Sequence, residues 1–292
     1  MTIVARVWRS MLFLPAHVEK FVERAHTRGA DAYILDLEDS VPAAEKARAR
    51  ALIGQGAQQL IQNGAAALVR INAGAELAAA DIQAACLSSV AALVLPKING
   101  AMEVAAVAAQ LDALEASRGL VPGRIRLIAQ IEDVAALPHL DQIATSSPRL
   151  LGMILGSEDF SVSAGMEACP EALFAPNQQI VFACRRAGIL PFGFPASIAG
   201  YADLGQFRGH IRLARRIGSV GAFCIHPTQI AVLNEEFSPS PAEIEDARGV
   251  IAALEAGLRD GKAAVSYMNR MIDPPVAARA HEVLRRAGTE SQ

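Results

Sequence analysis

The stretch LLGMILGSEDF, residues 150–160, is the part of the sequence from which the fold can be inferred. Its first six residues are apolar and mostly branched, and Gly156 follows them, which predicts a short buried strand. Glu158 and Asp159 come directly after that strand. Carboxylates at the end of a strand commonly have a chemical role, because binding and catalytic groups concentrate in the segments that follow strands.

A second stretch of the same kind precedes it. RLIAQI, residues 126–131, predicts another buried strand, and Glu132 and Asp133 follow it. Asp159 lies 27 residues after Glu132, about the length of one strand–helix–strand unit. Such a unit in a parallel sheet places both acids at the same edge. The pair is therefore predicted to bind a hard divalent cation, Mg²⁺ or alternatively Mn²⁺.

The rest of the chain repeats this alternation. Strands are predicted at residues 8–14, 31–37, 66–72, 90–95, 126–131, 150–155, 189–194 and 221–225. Helices are predicted at residues 18–28, 42–61, 76–87, 101–117, 171–187 and 201–217, and a loop at residues 161–170. A barrel of eight β/α units needs about 250 residues, so we expect an α/β fold, a TIM (β/α)8 barrel, over residues 1–235.

Residues 236–292 continue beyond the barrel. Two helices are predicted there, at residues 242–258 and 276–287, on either side of the unusual run YMNRMIDPP, residues 267–275. We expect a C-terminal helical extension that acts as a lid or as an arm between subunits.

The composition limits the classes of partner. Charged residues make up 20% of the chain and the net charge is −3, which gives no electrostatic basis for binding nucleic acid or an anionic membrane. No stretch of about 18 uncharged apolar residues is present, and the N-terminus lacks the features of a signal peptide. The four cysteines are scattered without zinc-site spacing. We expect a cytoplasmic protein with buried thiols, and Cys224, beside a strand end, as the one cysteine that could be catalytic.

Charged side chains follow six of the eight predicted strands. They are Asp36, Glu38, Asp39, Arg70, Lys97, Glu132, Asp159 and His226. In a (β/α)8 barrel the carboxyl ends of all strands share one face, so these groups are predicted to surround one opening. Arg70, within an apolar strand, needs an anionic partner and could bind a substrate carboxylate or an enolate through its planar fork.

Three interpretations of this ring stay open at the level of the residues. A cation on Glu132 and Asp159, together with Arg70, would stabilise the negative charge that forms in aldol cleavage of a 3-hydroxy acid, or in the reverse condensation. Lys97 could instead form a Schiff base with a carbonyl substrate. Alternatively, the two acids could simply pair with Arg70 or Lys97, because a buried carboxylate must be neutralised.

Eight stretches of the sequence match a known family in order. They are RSMLFLPA (9–16), DAYILDLEDSVPAAEKARAR (31–50), LVRIN (68–72), LVLPKI (93–98), LIAQIED (127–133), ILGSEDF (154–160), CIHPTQI (224–230) and RMIDPP (270–275). Together they resemble the citrate lyase beta-subunit-like (CitE-like) branch of the HpcH/HpaI aldolase superfamily, which includes malyl-CoA, citramalyl-CoA and citryl-CoA lyases.

The resemblance implies a role for several residues. Glu132 and Asp159 would be the magnesium ligands, and Arg70 would bind the keto-acid or enolate end of the substrate. Asp273, in RMIDPP, would be a general acid/base that a neighbouring subunit supplies; without the resemblance, it would be an acid at a helix N-terminus.

Other positions are matched in the same way. Glu38 and Asp39 would hold water or orient Arg70, as acids of the catalytic site. Lys20 and Arg24 would lie near the CoA phosphates, although the loop sequence PAHVEK, residues 15–20, lacks the glycine of many relatives. Asp133 replaces a threonine or serine of relatives and is expected to crowd the metal site with a second acid.

The implied activity is magnesium-dependent cleavage of a 3-hydroxy-dicarboxylyl-CoA thioester, with citramalyl-CoA giving acetyl-CoA and pyruvate as the preferred substrate. A homo-oligomer, in particular a homotrimer with a shared site, is expected. Alternatives are a malyl-CoA lyase or thioesterase, and the beta subunit of a citrate lyase complex that depends on an acyl-carrier protein. A binding protein without activity is the remaining class.

Overall fold

Eight parallel strands form one sheet in the part of the chain that the computed structural model describes, residues 7–288. They are β1 Ser10–Pro15, β2 Ala32–Asp36, β3 Ala66–Arg70, β4 Val90–Leu95, β5 Arg126–Ile131, β6 Leu150–Leu155, β7 Leu190–Phe192 and β8 Ala222–Cys224. Strands β1 to β7 follow one another across the sheet, and β8 pairs with β1. Backbone hydrogen bonds from Val220 to Pro191 (3.0 Å) and from Gly193 to Gly221 (2.9 Å) join the two ends. The predicted TIM barrel is therefore confirmed.

Helices follow the strands in the first compact unit, residues 7–235. They are α1 Glu19–Glu23, α2 Lys46–Gln62, α3 Ala75–Ala85, α4 Ala101–Ser117, α5 Leu140–Ala144, α6 Ser157–Ala164, α7 Pro170–Ala187, α8 Leu204–Ile217 and α9 Thr228–Glu236, which ends one residue beyond the unit. Local signals set several of their ends. Pro170 starts α7 and Gly188, with φ 71°, ends it, while the Asp203 side chain caps α8 and Gly218 ends that helix. Each helix thus stops where the chain must return to the sheet.

The interior of the barrel is filled from alternate positions of the strands. Ile34, Leu68, Val94 and Ile128 belong to one buried cluster, with no more than 1% of each residue exposed. Successive side chains of a strand point to opposite faces. The next alternate positions after Ile128 are therefore residues 130 and 132, at the carboxyl end of the barrel, where the sequence places its polar groups.

Two predictions for the first unit are wrong. Residues 157–164 form α6, whereas the sequence predicted a polar loop at residues 161–170. The helix forms because Phe160, only 2% exposed, anchors this polar segment to the core, and Gly165, with φ 64°, ends it. The helix predicted for residues 18–28 is instead the five-residue α1 and a 3-10 turn, Ala25–Thr27.

The second unit, residues 236–288 of the described chain, has a core of its own. It consists of α10 Pro241–Arg259, the antiparallel hairpin β9 Val265–Tyr267 and β10 Arg270–Ile272, and α11 Pro274–Arg286. The two helices confirm the predicted extension, but the hairpin was not predicted. Gly249 and Gly257 on α10 leave room for it, because a Cβ at either position would overlap Tyr267 or Val265.

The described helices include no membrane span, and no disulfide joins the cysteines, all of which are described. From residue 7 to residue 288, every helix is too short or too polar to cross a membrane. All four cysteines are free, and Cys224 is fully buried. Burial raises the pKa of Cys224, so its thiol stays protonated and does not suit the catalytic role that its position left open.

Candidate active site

Arg70 is held at the barrel opening by two carboxylates. Its Nε and Nη2 donate hydrogen bonds to Oδ1 and Oδ2 of Asp36, each 2.7 Å long. Nη1 lies 2.9 Å from Oε2 of Glu38, an ion pair without hydrogen-bond alignment. The Phe13 ring covers the guanidinium, with its centroid 4.6 Å from Cζ. Arg70 and Asp36 are register partners on β3 and β2, so the sheet itself brings them together.

The charges of this pair are mutually stabilised. Burial would raise the pKa of Asp36, but the hydrogen bonds and positive charge of Arg70 outweigh burial and lower it. Burial likewise opposes the charge on Arg70, and Asp36 and Glu38 raise its pKa nevertheless. A fixed guanidinium with permanent charge results, and Phe13 shields one of its faces from water.

Lys97 also forms ion pairs with acidic side chains at the opening. Its Nζ lies 2.8 Å from Oε1 of Glu38 and 3.7 Å from Oδ1 of Asp39. The hydrogen bond with Glu38 raises the pKa of Lys97, whereas Schiff-base chemistry needs a neutral amine. Its backbone adopts φ 54°, a conformation that costs a non-glycine residue energy. The Schiff-base alternative therefore receives no support.

Glu132 is the unusual carboxylate of the site. Only 3% of the residue is exposed, and both carboxylate oxygens are buried without a hydrogen-bond partner in the described part of the chain. Burial, and then the negative charges of Glu38 and Asp159, raise the pKa of Glu132 to about 8. It thus lacks the expected alternative partners, because Arg70 is bound by Asp36 and Lys97 by Glu38.

Gly156 makes the position of Glu132 possible. A Cβ on Gly156 would lie 2.6 Å from Cγ of Glu132 and 2.9 Å from Nε2 of Gln130, closer than real side-chain contacts allow. The glycine at the end of β6 therefore lets two polar side chains of β5 pass beside it.

Asp159 lies on α6 and lines the first cavity. It is exposed and makes no hydrogen bond or ion pair with the described residues. Its neighbour Glu158 is directed elsewhere, since Oε1 accepts from Ser197 Oγ (2.7 Å) and from the Ile198 backbone N–H (3.2 Å). The charge of Asp159 acts on Glu132, so the two predicted metal ligands are close enough to interact.

Glu132 and Asp159 are suited to bind a cation. An orphaned buried carboxylate with a second carboxylate beside it is stabilised when a positive ion binds between them. Among residues 7–288, no group of three or more His, Cys, Asp or Glu side chains is arranged to hold a metal. A site with two carboxylates leaves the remaining positions to water and substrate oxygens, which is the coordination that Mg²⁺ commonly has.

Asp133 does not crowd this site, contrary to the prediction. Its Oδ1 accepts hydrogen bonds from the Ala135 backbone N–H and from Ser163 Oγ, each 2.9 Å long, and these bonds lower its pKa. Ser163 also accepts from the Val134 N–H at 3.1 Å. Asp133 thus links the end of β5 to α6, one helical turn beyond Asp159.

A cavity of about 320 Å³ opens beside these groups. Asp36, Asp39, Arg70 and Asp159 line its polar side. The apolar part of its lining consists of Phe13, which lies over Arg70, together with Ile154, Phe194, Ile198 and Phe223. A ligand with one anionic end and one apolar substituent matches this division.

A second cavity of about 420 Å³ lies next to β1 and β8. Arg24 and Arg28 line it together with the apolar Phe21 and Ile225. Lys20 is exposed on α1 and is not among the lining residues. His226, which the sequence placed in the ring, is a lining residue here, and it stacks on Tyr201 with ring centroids 4.6 Å apart.

Asp273 caps a helix in the second unit. Its Oδ1 accepts a hydrogen bond of 3.1 Å from the Val276 backbone N–H at the start of α11. This is the structural role that the sequence alone suggested for it. Its role as a general acid/base stays a prediction.

Three polar groups were not assigned individually from the sequence. Asp36, not Asp39, makes the hydrogen bonds that orient Arg70.

Lys46 donates to the backbone carbonyls of Leu37 (2.9 Å) and Glu38 (3.0 Å) and so holds the loop after β2. Gln130 lines the first cavity. A signal for Gln130 was present, since it is a polar residue within the apolar run 126–131.

Comparisons with known proteins agree with this architecture. The sequence profile of the family HpcH/HpaI aldolase/citrate lyase matches residues 9–227. The citrate lyase subunit beta of Escherichia coli (strain K12) is 34% identical, over 97% of this chain and 94% of that protein. The L-malyl-CoA/beta-methylmalyl-CoA lyase of Cereibacter sphaeroides is 33% identical, over 97% and 95%.

A solved structure is similar over the same extent. Protein CitE from Mycobacterium tuberculosis, in complex with magnesium, acetoacetate and coenzyme A, superimposes with a TM-score of 0.76. It is 27% identical, and the match covers 97% of this chain and 99% of that one.

Proposed function

Because the chain belongs to the HpcH/HpaI aldolase/citrate lyase family, we propose that it is a magnesium-dependent carbon–carbon lyase acting on a CoA thioester of a 3-hydroxy dicarboxylic acid. The relatives named as lyases and the CitE complex with magnesium and coenzyme A support this. The observation that carries the proposal is the buried carboxylate of Glu132, which has no hydrogen-bond partner among residues 7–288 and is close enough to Asp159 to be affected by its charge.

Glu132 and Asp159 are the residues that would hold Mg²⁺, or Mn²⁺ in its place. The bound ion supplies Lewis-acid chemistry, because it draws electrons from a carbonyl or hydroxyl oxygen of the substrate. Arg70 binds the carboxylate or the oxygen at the hydroxy-acid end. Asp36 and Glu38 keep its guanidinium in place, so little reorganisation is needed when negative charge develops.

Cleavage moves one proton from oxygen to carbon. Asp39, an exposed carboxylate that lines the cavity, accepts the hydroxyl proton. The carbon–carbon bond breaks as the carbonyl of the 2-oxo acid forms, and its electron pair passes to the carbon next to the thioester. Asp273 of a neighbouring protomer gives a proton to that carbon, which completes acetyl-CoA. We expect a homotrimer, because the site is shared between subunits, and a location in the cytoplasm.

The CoA moiety is assigned to the second cavity. Arg24 and Arg28 present two guanidinium groups on its surface, and such groups recognise phosphate by paired hydrogen bonds. Lys20, on the exposed side of α1, can add positive charge as CoA approaches. This assignment follows the predicted roles of Lys20 and Arg24 and extends them to Arg28.

Citramalyl-CoA, cleaved to acetyl-CoA and pyruvate, is the substrate that we propose. The apolar wall with Ile154, Phe194 and Ile198 suits the methyl group that distinguishes citramalyl-CoA from malyl-CoA. One methyl group contributes only about 1–3 kcal/mol to discrimination between substrates. The main alternative substrate is therefore malyl-CoA, which the enzyme would either cleave as a lyase or also hydrolyse as a thioesterase. The similarity to citrate lyase beta subunits favours a second candidate, a subunit that cleaves a citryl thioester on an acyl-carrier protein.

A coupled assay tests these assignments. The purified chain is given Mg²⁺ and citramalyl-CoA, malyl-CoA or citryl-CoA in turn, and acetyl-CoA and the 2-oxo acid are both quantified. We expect citramalyl-CoA to be cleaved, with activity lost in Asp159→Ala or with EDTA, and retained in Asp141→Ala, a surface acid paired with Arg186. Activity that survives Asp159→Ala and EDTA would contradict the metal-dependent mechanism, and activity only on acyl-carrier thioesters would favour the complex subunit.

A further inference from the structure

Asp81 is a buried carboxylate that the proposed mechanism does not use. It lies on α3 and is 0% exposed. Its Oδ1 accepts a hydrogen bond of 2.8 Å from Arg50 Nε, and its Oδ2 accepts from the backbone N–H (2.8 Å) and from Nδ2 (2.7 Å) of Asn72. A buried carboxylate is stable only when donors surround it in this way. Asp81 thus fixes Asn72, which lies two residues after Arg70.

Lys46 lies on the other side of the Asn72 amide. Its Nζ donates to Oδ1 of Asn72 over 2.5 Å and to the backbone carbonyls of Leu37 (2.9 Å) and Glu38 (3.0 Å). These three acceptors use all three protons of the ammonium group. The amide oxygen faces this cation and the amide NH2 faces Asp81, and the reverse orientation would place donor against donor. The amide therefore carries a hydrogen-bonded connection from Asp81 to the chain after β2.

Glu38, at the end of this connection, joins two cations of the active site. Its Oε1 lies 2.8 Å from Lys97 Nζ, and its Oε2 lies 2.9 Å from Arg70 Nη1. Its backbone is held on both sides, because its N–H donates to Oδ1 of Asp36 (3.0 Å) and its carbonyl accepts from Lys46. Two fixed backbone groups set the direction in which the side chain leaves the chain. The hydrogen bond from Lys46 therefore helps to determine where the Glu38 carboxylate lies.

We propose that Lys46, Asn72 and Asp81 are positioning residues of the active site. The unit that they form, the Lys46 unit, holds the backbone of Glu38 and so keeps its carboxylate between the two cations. The inference rests on the proposed lyase function and adds to it a support that acts through Glu38. Its catalytic effect arises because a group that is fixed before the reaction does not need to reorganise as negative charge develops.

Steady-state kinetics test the catalytic effect. Lys46→Met removes the three donated hydrogen bonds and keeps the length of the side chain. We expect kcat for the cleaved thioester to fall about tenfold, and KM to change by less than about twofold, because the support acts on the charge that develops in the reaction. Mn²⁺ affinity, measured by calorimetry, should be unchanged. Lys262→Met, at an exposed lysine of the second unit, is the control and should leave kcat unchanged.

A second background separates positioning from a general loss of structure. Glu38→Gln already removes the carboxylate that the Lys46 unit positions, so adding Lys46→Met to it should lower kcat by less than about twofold. An equal loss in both backgrounds would show that Lys46 does not act through Glu38, which overturns the proposal. Asn72→Leu breaks the same connection at the amide and should also lower kcat, and it provides the measurement if Lys46→Met does not fold.

Acetylation of Lys97 reports the position of Glu38 without any turnover. The Lys97 ammonium donates a hydrogen bond of 2.8 Å to Oε1 of Glu38, and only the neutral amine reacts with acetic anhydride. When Glu38 is no longer held, as in Lys46→Met, the rate of acetylation at Lys97 should rise about threefold relative to Lys262 in the same molecule. Mass spectrometry of the digested protein gives both rates. An unchanged ratio would overturn the proposal.

The two readouts distinguish this inference from the proposed function. Wild-type protein that cleaves none of the thioesters would overturn the lyase assignment, and the acetylation ratio would still decide whether the Lys46 unit positions Glu38. An active wild type, with kcat unchanged in a folded Lys46→Met, would overturn the positioning role alone.

Discussion

Asp36 accepts both hydrogen bonds that orient the Arg70 guanidinium, from Nε to Oδ1 and from Nη2 to Oδ2, each 2.7 Å long. The carboxylate is fully buried and the arginine is 9% exposed. Removing one partner of a buried ion pair leaves the other charge uncompensated. The pair therefore serves both the stability of the barrel and the position of the cationic group at its opening.

Asp36→Asn is expected to affect stability and activity together. The free energy of unfolding should fall by about 2–4 kcal/mol, because Arg70 stays buried with Glu38 as its remaining ion-pair partner. The ratio kcat/KM should fall about 100-fold, because the guanidinium is no longer fixed. Urea unfolding and steady-state kinetics check this. Asp141→Asn breaks an exposed pair with Arg186 and should change unfolding by less than about 0.5 kcal/mol; equal effects would contradict the interpretation.

Glu132→Gln is expected to stabilise the metal-free protein while it abolishes activity. The folded-state pKa of Glu132 is about 8, above the ordinary value of about 4.3. The folded state therefore binds the extra proton between these values, and the stability of the wild type falls as pH rises through this window. Glutamine does not ionise, so the free energy of unfolding of Glu132→Gln should exceed that of the wild type. The difference should grow from pH 5 to pH 8 and reach about 2 kcal/mol.

Urea unfolding in EDTA at pH 5, 7 and 9 measures that advantage. Adding Mg²⁺ should reverse it, since only the wild type gains stability from the bound ion. An advantage that is the same at pH 5 and pH 9 would show that Glu132 is not the titrating group.

Ser163→Ala should weaken metal binding without a comparable loss of stability. Ser163 joins Asp133, next to Glu132, with the helix that carries Asp159. Groups that orient metal ligands commonly contribute tenfold or more to affinity, and this exposed bond should contribute about threefold to tenfold. Mn²⁺ titration calorimetry gives the affinity. Ser117→Ala removes a serine hydroxyl bonded to Leu114 at the end of α4 and serves as the control; equal Mn²⁺ affinities in both variants would contradict the role of Ser163.

Mixing two inactive variants tests whether the site is shared between subunits. Asp273→Asn and Glu132→Gln are each expected to be inactive. If Asp273 acts in a neighbour, co-refolded mixtures will contain about one quarter of sites with both native residues, and activity should return to that level. Mixtures that stay inactive, despite exchange of subunits shown by mass spectrometry, would place Asp273 outside a shared site.

Lys97 should form no covalent adduct with a 2-oxo acid. Its hydrogen bond with Glu38 raises its pKa, so the amine stays protonated at neutral pH and cannot attack a carbonyl. Borohydride treatment in the presence of pyruvate should leave the mass of the protein unchanged. A reduced adduct that disappears in Lys97→Met would establish the Schiff-base route instead.

Local sequence predicted most of the barrel. The strands at residues 90–95, 126–131 and 150–155 have the predicted bounds, because a run of apolar residues ending at polar or glycine residues is a local property. Helix α6 was missed because its polar sequence resembles a loop, and only the burial of Phe160 makes it a helix. The hairpin of the second unit was missed because its strands are three residues long and its turn, at Met268 and Asn269, lacks the usual glycine.

The sequence by itself determined which chemical groups gather at the opening, since parallel strands of alternating β/α units must end on one face. The tertiary structure decided how those groups pair. The sheet register aligns Asp36 with Arg70, 34 residues away, and Lys97 pairs with Glu38. Within the described part of the chain, this leaves the Glu132 carboxylate without a hydrogen-bond partner. A hydrogen bond forms only when the distance between donor and acceptor is correct to within a few tenths of an ångström. The periodicity of one segment carries no information about its distance from atoms far away in the chain.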